Sequence, residues 1–175
     1  KIAFNPGGKE LSHGLEKLKP HLAEVDIFSV NKEEAEALLN EEGVTRLGVP
    51  QSRANQRIEH DGGEEGQDPV SVLKELDKLV KGIVVLTLGP EGVFVSDKKN
   101  IYRAGTPDSP RVERTGAGDA FVSGFVSQFI LSAGDIIKSI QFATANASSV
   151  GVQSGPKAGI LKNGDWGPWP LVEVR

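Results

Sequence analysis

The run Ile83-Val84-Val85-Leu86-Thr87-Leu88 constrains this chain more than any other segment. Apolar and β-branched residues follow one another without polar alternation, as in a strand buried on both faces. Such a strand needs cover on two sides, and the flanking sequence supplies it as helices. Lys1 to Asn5 reads as a short strand running into the turn Pro6-Gly7-Gly8. Between Glu10 and Ala23, Leu11, Leu15, Leu18 and Leu22 make a helical stripe that Pro20 is predicted to kink or break. Val25 to Val30 is a second buried strand, and Asn31 caps a helix whose apolar face includes Ala35, Leu38 and Leu39. A further helix covers about Val70 to Val80.

Beyond the central run, Gly89-Pro90-Glu91-Gly92 turns the chain into Val93 to Ser96, and another strand follows near Ile101 to Ala104. These two short strands suit an antiparallel edge. A Pro-rich loop then leads to a long apolar helix, Ala117 to Ala133, and Asp135 caps the last helix, which ends near Val150. No regular pattern is evident from Gly151 onward. Strand and helix alternate, so the predicted class is α/β with a layered, mostly parallel sheet. Thr45 to Pro69 stands apart as polar and aperiodic, a surface insertion or a disordered stretch.

Composition removes several kinds of chemistry. Cysteine is absent, which excludes disulfides, thiolate-ligated zinc and thiol catalysis. The formal net charge of -4 gives no electrostatic footprint for nucleic acid. No apolar run approaches the roughly 20 residues of a membrane helix, so no membrane partner and a cytoplasmic location are expected. Methionine is also absent and the chain opens at Lys1, as if within a strand. The expectation is a trimmed start or a piece of a longer protein.

The most informative chemistry lies in Thr115-Gly116-Ala117-Gly118-Asp119-Ala120-Phe121. Three small residues before a helix let backbone N–H groups approach an anion, with the helix dipole behind them. A carboxylate one step inside such a site repels the anion, unless Asp119 takes the proton of a hydroxyl attacking a phosphate. The alternative is a Gly-rich turn with Asp119 as a first-turn dipole partner. Other phosphate and nucleophile motifs are absent. Phe121 stands where a dinucleotide fingerprint needs glycine, and there is neither a P-loop nor a Gly-x-Ser-x-Gly elbow. His13, His21 and His60 have no metal-ligand spacing.

Thr115 to Phe121, continuing through Gly124-Phe125, closely resembles the C-terminal signature of the ribokinase-like (phosphofructokinase-B) carbohydrate kinases. Asn31-Lys32-Glu33-Glu34-Ala35 resembles that family's Asn-x-x-Glu element, and Thr87-Leu88-Gly89-x-x-Gly92 its nucleotide-side strand and turn. Ala143 to Val150, followed by Gly155 and Gly159-Ile160-Leu161, is similar to its adenine-side helix and closing loop. The four motifs occur in the family's order over most of residues 1 to 161.

The resemblance implies a three-layer ribokinase-like fold without its N-terminal part and lid, residues 1–175 being the ATP-binding and catalytic-base portion. It implies an ATP-dependent phosphotransferase that moves the γ-phosphate to a hydroxyl of a sugar or nucleoside. Asp119 is then the base, and the backbone of Gly116, Ala117 and Gly118 is the anion hole. Thr87, Gly89 and Gly92 border the nucleotide phosphates and ribose, Asn146 borders the adenine, and Glu34 with Asn31 orients Mg2+ through its waters. From the residues alone, Asn31 and Glu34 also fit a capping box, and Thr87 and Asn146 also fit satisfied interior polar groups. Where many relatives hold a monovalent cation with Asp, this chain has Glu113, followed by Arg114, which leaves K+ dependence open. In the full-length protein the resemblance implies a homodimer formed through the lid. The reading of a different class is a non-catalytic nucleotide-binding module, or a kinase half that needs another segment for activity.

Overall fold

The computed structural model describes residues 1–40, 67–107, 116–153, 155, 158–162 and 164–175, which divide into two compact units, Lys1–Leu86 and Thr87–Arg175. Most of the predicted insertion, as well as His60, Glu113, Arg114 and Thr115, lies outside the described residues. No helix among the described residues is long and apolar enough to cross a membrane.

In the first unit the elements alternate as the apolar runs require. They are β1 (Ala3–Phe4), α1 (Gly8–Leu11), α2 (Leu15–Leu22), β2 (Ile27–Asn31), α3 (Lys32–Leu39), α4 (Pro69–Leu79) and β3 (Ile83–Thr87), whose last residue opens the second unit. The strands lie in the order β1-β2-β3, with β1 and β2 parallel and Phe4 in register with Phe28. Leu11, Leu18, Leu22, Ala35, Leu38, Val72, Leu73 and Leu76 are buried on the helices, beside Phe28, Val84 and Leu86 of the strands. Gly82 is required at the entry to β3. A Cβ there would collide with the backbone of Asp26, while Ile83 N–H donates to the Asp26 carbonyl at 2.9 Å.

Two expectations need correction here. The leucine stripe is interrupted at Ser12–Gly14, where Gly14 takes φ +81°, and Pro20 lies inside α2. Glycine's access to positive φ makes the break, while proline near the end of a short helix removes a single hydrogen bond. The polar segment also ends earlier than Pro69. Asp68 caps α4 by accepting from Ser71 N–H at 3.0 Å, and Pro69 occupies the first turn, where its missing N–H costs nothing.

The second unit is built from an antiparallel hairpin and a helical pair. Strands β4 (Val93–Ser96) and β5 (Ile101–Ala104) pair with Val93 opposite Ala104. Asp97 closes their turn by accepting from the N–H groups of Lys99 and Asn100 at 2.9 and 2.6 Å. Helices α5 (Ala117–Leu131) and α6 (Ile136–Gly151) follow, joined through Gly134 at φ +99°. The residues after α6 do contain pairing that no periodicity signals. Val174 bridges Ala104 antiparallel, and Arg103 and Arg175 exchange backbone bonds of 2.8 and 3.0 Å, covering the outer edge of β5.

Asp135 caps α6 by accepting from Lys138 N–H at 3.0 Å, and that backbone bond holds its carboxyl below the ordinary 3.8. A depressed folded-state value gives stability that is complete above about pH 4 and lost as pH falls through the folded value. Asp135→Ala is therefore expected to lose about 1 kcal/mol at pH 7. In urea titrations the gap from the parent should narrow below pH 3.8, and a gap constant down to pH 2 contradicts this account.

Candidate active site

Most of the residues singled out in the sequence fall in the second unit. There, the start of α5 differs from the starts of α3, α4 and α6, which Asn31, Asp68 and Asp135 cap with their side chains. At α5 the cap is Gly116 in the left-handed region, φ +85°, with no side chain to accept a bond. The N–H of Ala120 donates to the Gly116 carbonyl at 2.8 Å, so the helical ladder begins there. Those of Ala117, Gly118 and Asp119 precede it, pointing out of the helix at its positive end. Gly118 and Asp119 are exposed, and a Cβ at Gly118 would meet nothing within 4 Å. The result is an accessible backbone cradle of outward-facing N–H groups with a carboxylate on its rim.

A cleft of about 180 Å³ opens beside this cradle, and Ala117 and Gly118 form part of its wall. Thr87, Gly89, Pro90, Gly92 and Val93 line it from the β3–β4 connection, and Gly105 and Thr106 from the end of β5. Phe121 contributes from α5, and Thr144, Ala147, Ser148 and Gly151 from α6. None of these side chains is ionisable. Gly92 is fixed in kind: its φ is +101°, and a Cβ would collide with the Ala104 carbonyl. Its own carbonyl accepts from Leu88 N–H at 2.8 Å, which closes the loop over Gly89–Glu91.

Thr87, Gly89, Gly92, Ala117 and Gly118 thus line one cleft, with Gly116 and Asp119 on either side of the last two in the chain. Asn146 is not among the lining residues. It is 2% exposed, its amide donates to the Ala120 carbonyl at 2.7 Å, and its oxygen accepts from Leu161 N–H at 2.8 Å. Of the two readings open in the sequence, its geometry is that of a satisfied interior amide. Helical periodicity contains the reason, since 144, 147, 148 and 151 lie on one face while 143, 146 and 150 lie on another. Thr144 and Ser148 lie within the segment that resembles the family's adenine-side helix, and it is they, rather than Asn146, that line the cleft.

Asn31 and Glu34 belong to the first unit, where they form a reciprocal capping box. Glu34 N–H donates to Asn31 Oδ1 at 2.7 Å, and Asn31 N–H donates to Glu34 Oε2 at 3.0 Å. Among the described residues no group of three or more His, Cys, Asp or Glu side chains is arranged to hold a metal ion.

The family model described as pfkB family carbohydrate kinase matches residues 8–162. An ATP-dependent 6-phosphofructokinase of Thermoanaerobacterium thermosaccharolyticum is 32% identical over 118 residues, 67% of this chain and 29% of that protein. Among solved structures, the ribokinase of Thermotoga maritima superposes with TM-score 0.66 at 19% identity, covering 91% of this chain and 45% of its own. The nucleoside kinase of Methanocaldococcus jannaschii, an archaeal member of the ribokinase family, does so with TM-score 0.62 at 20% identity, covering 91% and 44%. The fold is ribokinase-like, and the chain spans less than half the length of these relatives.

Removing the Asn146 amide leaves the Ala120 carbonyl short of one partner and the Leu161 N–H without any. Asn146→Ala is expected to lower unfolding stability by about 2 kcal/mol, the order found when buried hydrogen-bonding groups are orphaned. Chemical denaturation checks this, and a loss below about 0.5 kcal/mol would show that the tie is not structural.

Proposed function

The chain belongs to the pfkB family of carbohydrate kinases, and from that premise we propose that it carries the phosphoryl-donor site and the proton acceptor of an ATP-dependent kinase acting on a sugar or nucleoside hydroxyl. One observation supports the reading above the others. An uncapped helix N-terminus bearing Asp119 adjoins, within one compact unit, a cleft to which the same helix contributes and whose described lining carries no ionisable side chain. An extended anion attached to a flat, uncharged body fits that combination, and a nucleoside triphosphate has this form. Inorganic pyrophosphate would leave the apolar wall of Pro90, Val93 and Phe121 without an occupant.

In the proposed step the acceptor oxygen forms a bond to the γ-phosphorus, and the bond from that phosphorus to the β,γ-bridging oxygen breaks, so that ADP leaves. The acceptor proton passes to Asp119. The transition state is loose and its charge sits on the phosphoryl oxygens, so the protein contributes chiefly position and electrostatic stabilisation. The backbone N–H groups of Ala117, Gly118 and Asp119 supply the second, and Asp119 aims the acceptor hydroxyl. Magnesium enters this reading on the nucleotide phosphates, because a cation that keeps most of its water needs no protein cage. Glu34 with Asn31 is assigned to its water shell by resemblance. A monovalent cation is not assigned.

With Mg2+, ATP at 100 times its dissociation constant should raise the chain's stability by about 2.7 kcal/mol. Assayed against a panel of pentoses, hexoses, hexose phosphates and nucleosides, Asp119→Asn should bind the nucleotide at least as tightly as the parent. It should lose transfer activity by about 10²- to 10⁴-fold. ATP binding without transfer to any acceptor, by the parent chain, would instead support a nucleotide-binding module or a kinase half that needs another segment.

A further inference from the structure

Two of the elements that line the cleft, α6 and the end of β5, are both fastened to the last residues of the chain. On α6, Gln141 Nε2 donates to the Val172 carbonyl at 3.2 Å, and Trp166 meets Phe142 edge to face at 5.3 Å. On β5, Val174 bridges Ala104, and Arg103 and Arg175 exchange backbone hydrogen bonds. Residues 166–175 thus cross from one element to the other. They lie beyond residue 162, where the match to the family model ends.

Both fastening points adjoin lining residues. At about 3.6 residues per turn, positions 141, 144, 148 and 151 share one face of α6. Gln141 therefore stands one turn before Thr144, on the stripe that Thr144, Ser148 and Gly151 present to the cleft. Ala104 immediately precedes Gly105 and Thr106, which line it from β5. Moving α6 away from β5 would part these two groups of lining residues, and would first break the tail's hold at one end. That hold consists of hydrogen bonds of defined length and direction, so it fixes a separation where apolar contact alone tolerates sliding.

We propose that residues 166–175 are a strap, and that Gln141 is the positioning residue anchoring it, which together keep the cleft at the width its ligand needs. None of them is among the lining residues, so they act through α6 and β5. The inference rests on the reading of the cleft as a nucleotide site and adds a control on that site. Because the strap is one link, cutting it at either end releases the same constraint. A tie adds to affinity no more than its own net free energy, which for one neutral hydrogen bond is a factor of about two to ten.

The test measures the affinity of the 175-residue chain for ATP with Mg2+ by calorimetry. Gln141→Ala cuts the strap at α6. Arg175→Pro, which lacks the N–H that donates to Arg103, cuts it at β5. Each is expected to weaken binding about two- to tenfold, and the double variant no further than the weaker single one. Independent structural damage would instead multiply the two losses.

A second arm uses the absence of cysteine from the chain. Since Arg103 and Arg175 exchange both backbone bonds, Ala104 and Val174 form the neighbouring non-hydrogen-bonded pair, with Cα atoms about 4.5 Å apart and within disulfide reach. Adding Ala104→Cys and Val174→Cys to Arg175→Pro should restore parental affinity within about twofold when oxidised, and reduction should remove the gain. Unchanged affinity in both single variants overturns the strap. Multiplied losses, a disulfide that does not form, or equal binding by the oxidised and reduced forms does so too. Failure of ATP to bind the parent overturns the nucleotide reading itself, and this inference with it.

Discussion

At Gly124 the two long helices of the second unit approach so closely that a methyl group would sit 3.2 Å from Ala143 Cα and 3.3 Å from Asn146 Cβ. Glycine permits this approach, and Asn146 then locks it by reaching the Ala120 carbonyl on one side and the Leu161 N–H on the other. The rest of the candidate site depends on this contact. It fixes the height of α5 relative to α6, and so decides which α6 side chains face the cleft beside Ala117, Gly118 and Phe121. The stacked Phe121, Phe125 and Phe129 rings, 6.5 and 6.1 Å apart, continue along α5. A buried amide with both ends satisfied specifies this register more strictly than apolar contact alone, because sliding by one residue would orphan a donor and an acceptor together.

The opposite wall is set by backbone constraints. Gly92 lies so near the Ala104 carbonyl that no side chain fits, and its positive φ turns the chain from the connection after β3 into β4. Thr106 donates to the Pro90 carbonyl at 2.8 Å, tying the end of the hairpin to the same turn. The cleft is consequently framed by groups whose positions are over-determined, a helix pair locked at Asn146 and a turn locked at Gly92. A preformed site of this kind binds with less loss of conformational freedom than one built from free loops.

The sequence made the strands and helices legible because their apolar periods are strong, and the caps Asn31 and Asp135 were legible because their side-chain chemistry is local. The helix start at Gly116 to Asp119 was legible for the same reason, as the signal of small residues before an apolar helix is contained within seven positions. What stayed hidden depends on long-range geometry. Whether Asn146 faces the cleft or the neighbouring helix is decided by the orientation of α6 about its own axis, which a motif read linearly does not encode. The break at Gly14 in place of Pro20 shows competition between two helix-breaking residues, and positive φ settled it. The pairing of Val174 with Ala104 joins segments 70 positions apart in a stretch without alternation, so nothing local announced it.

The electrostatics of the cleft bear on what the proposed site asks of its ligand. A chain with net charge -4 draws a polyanion poorly over distance, and the described lining carries no cationic side chain to offset this. Among the described residues, attraction is therefore short in range: it comes from the N–H groups at the start of α5 and is effective within about one helical turn of it. Asp119 works against even that attraction, since it is exposed in the first turn where the anion would sit. A free polyphosphate is thus a weaker candidate than one whose charge is partly neutralised by a bound cation and whose uncharged end gains contact with Pro90, Val93 and Phe121. The same carboxylate that weakens anion binding is the group suited to take an acceptor's proton. Its cost in affinity is intelligible when the site serves transfer of the anion rather than its retention.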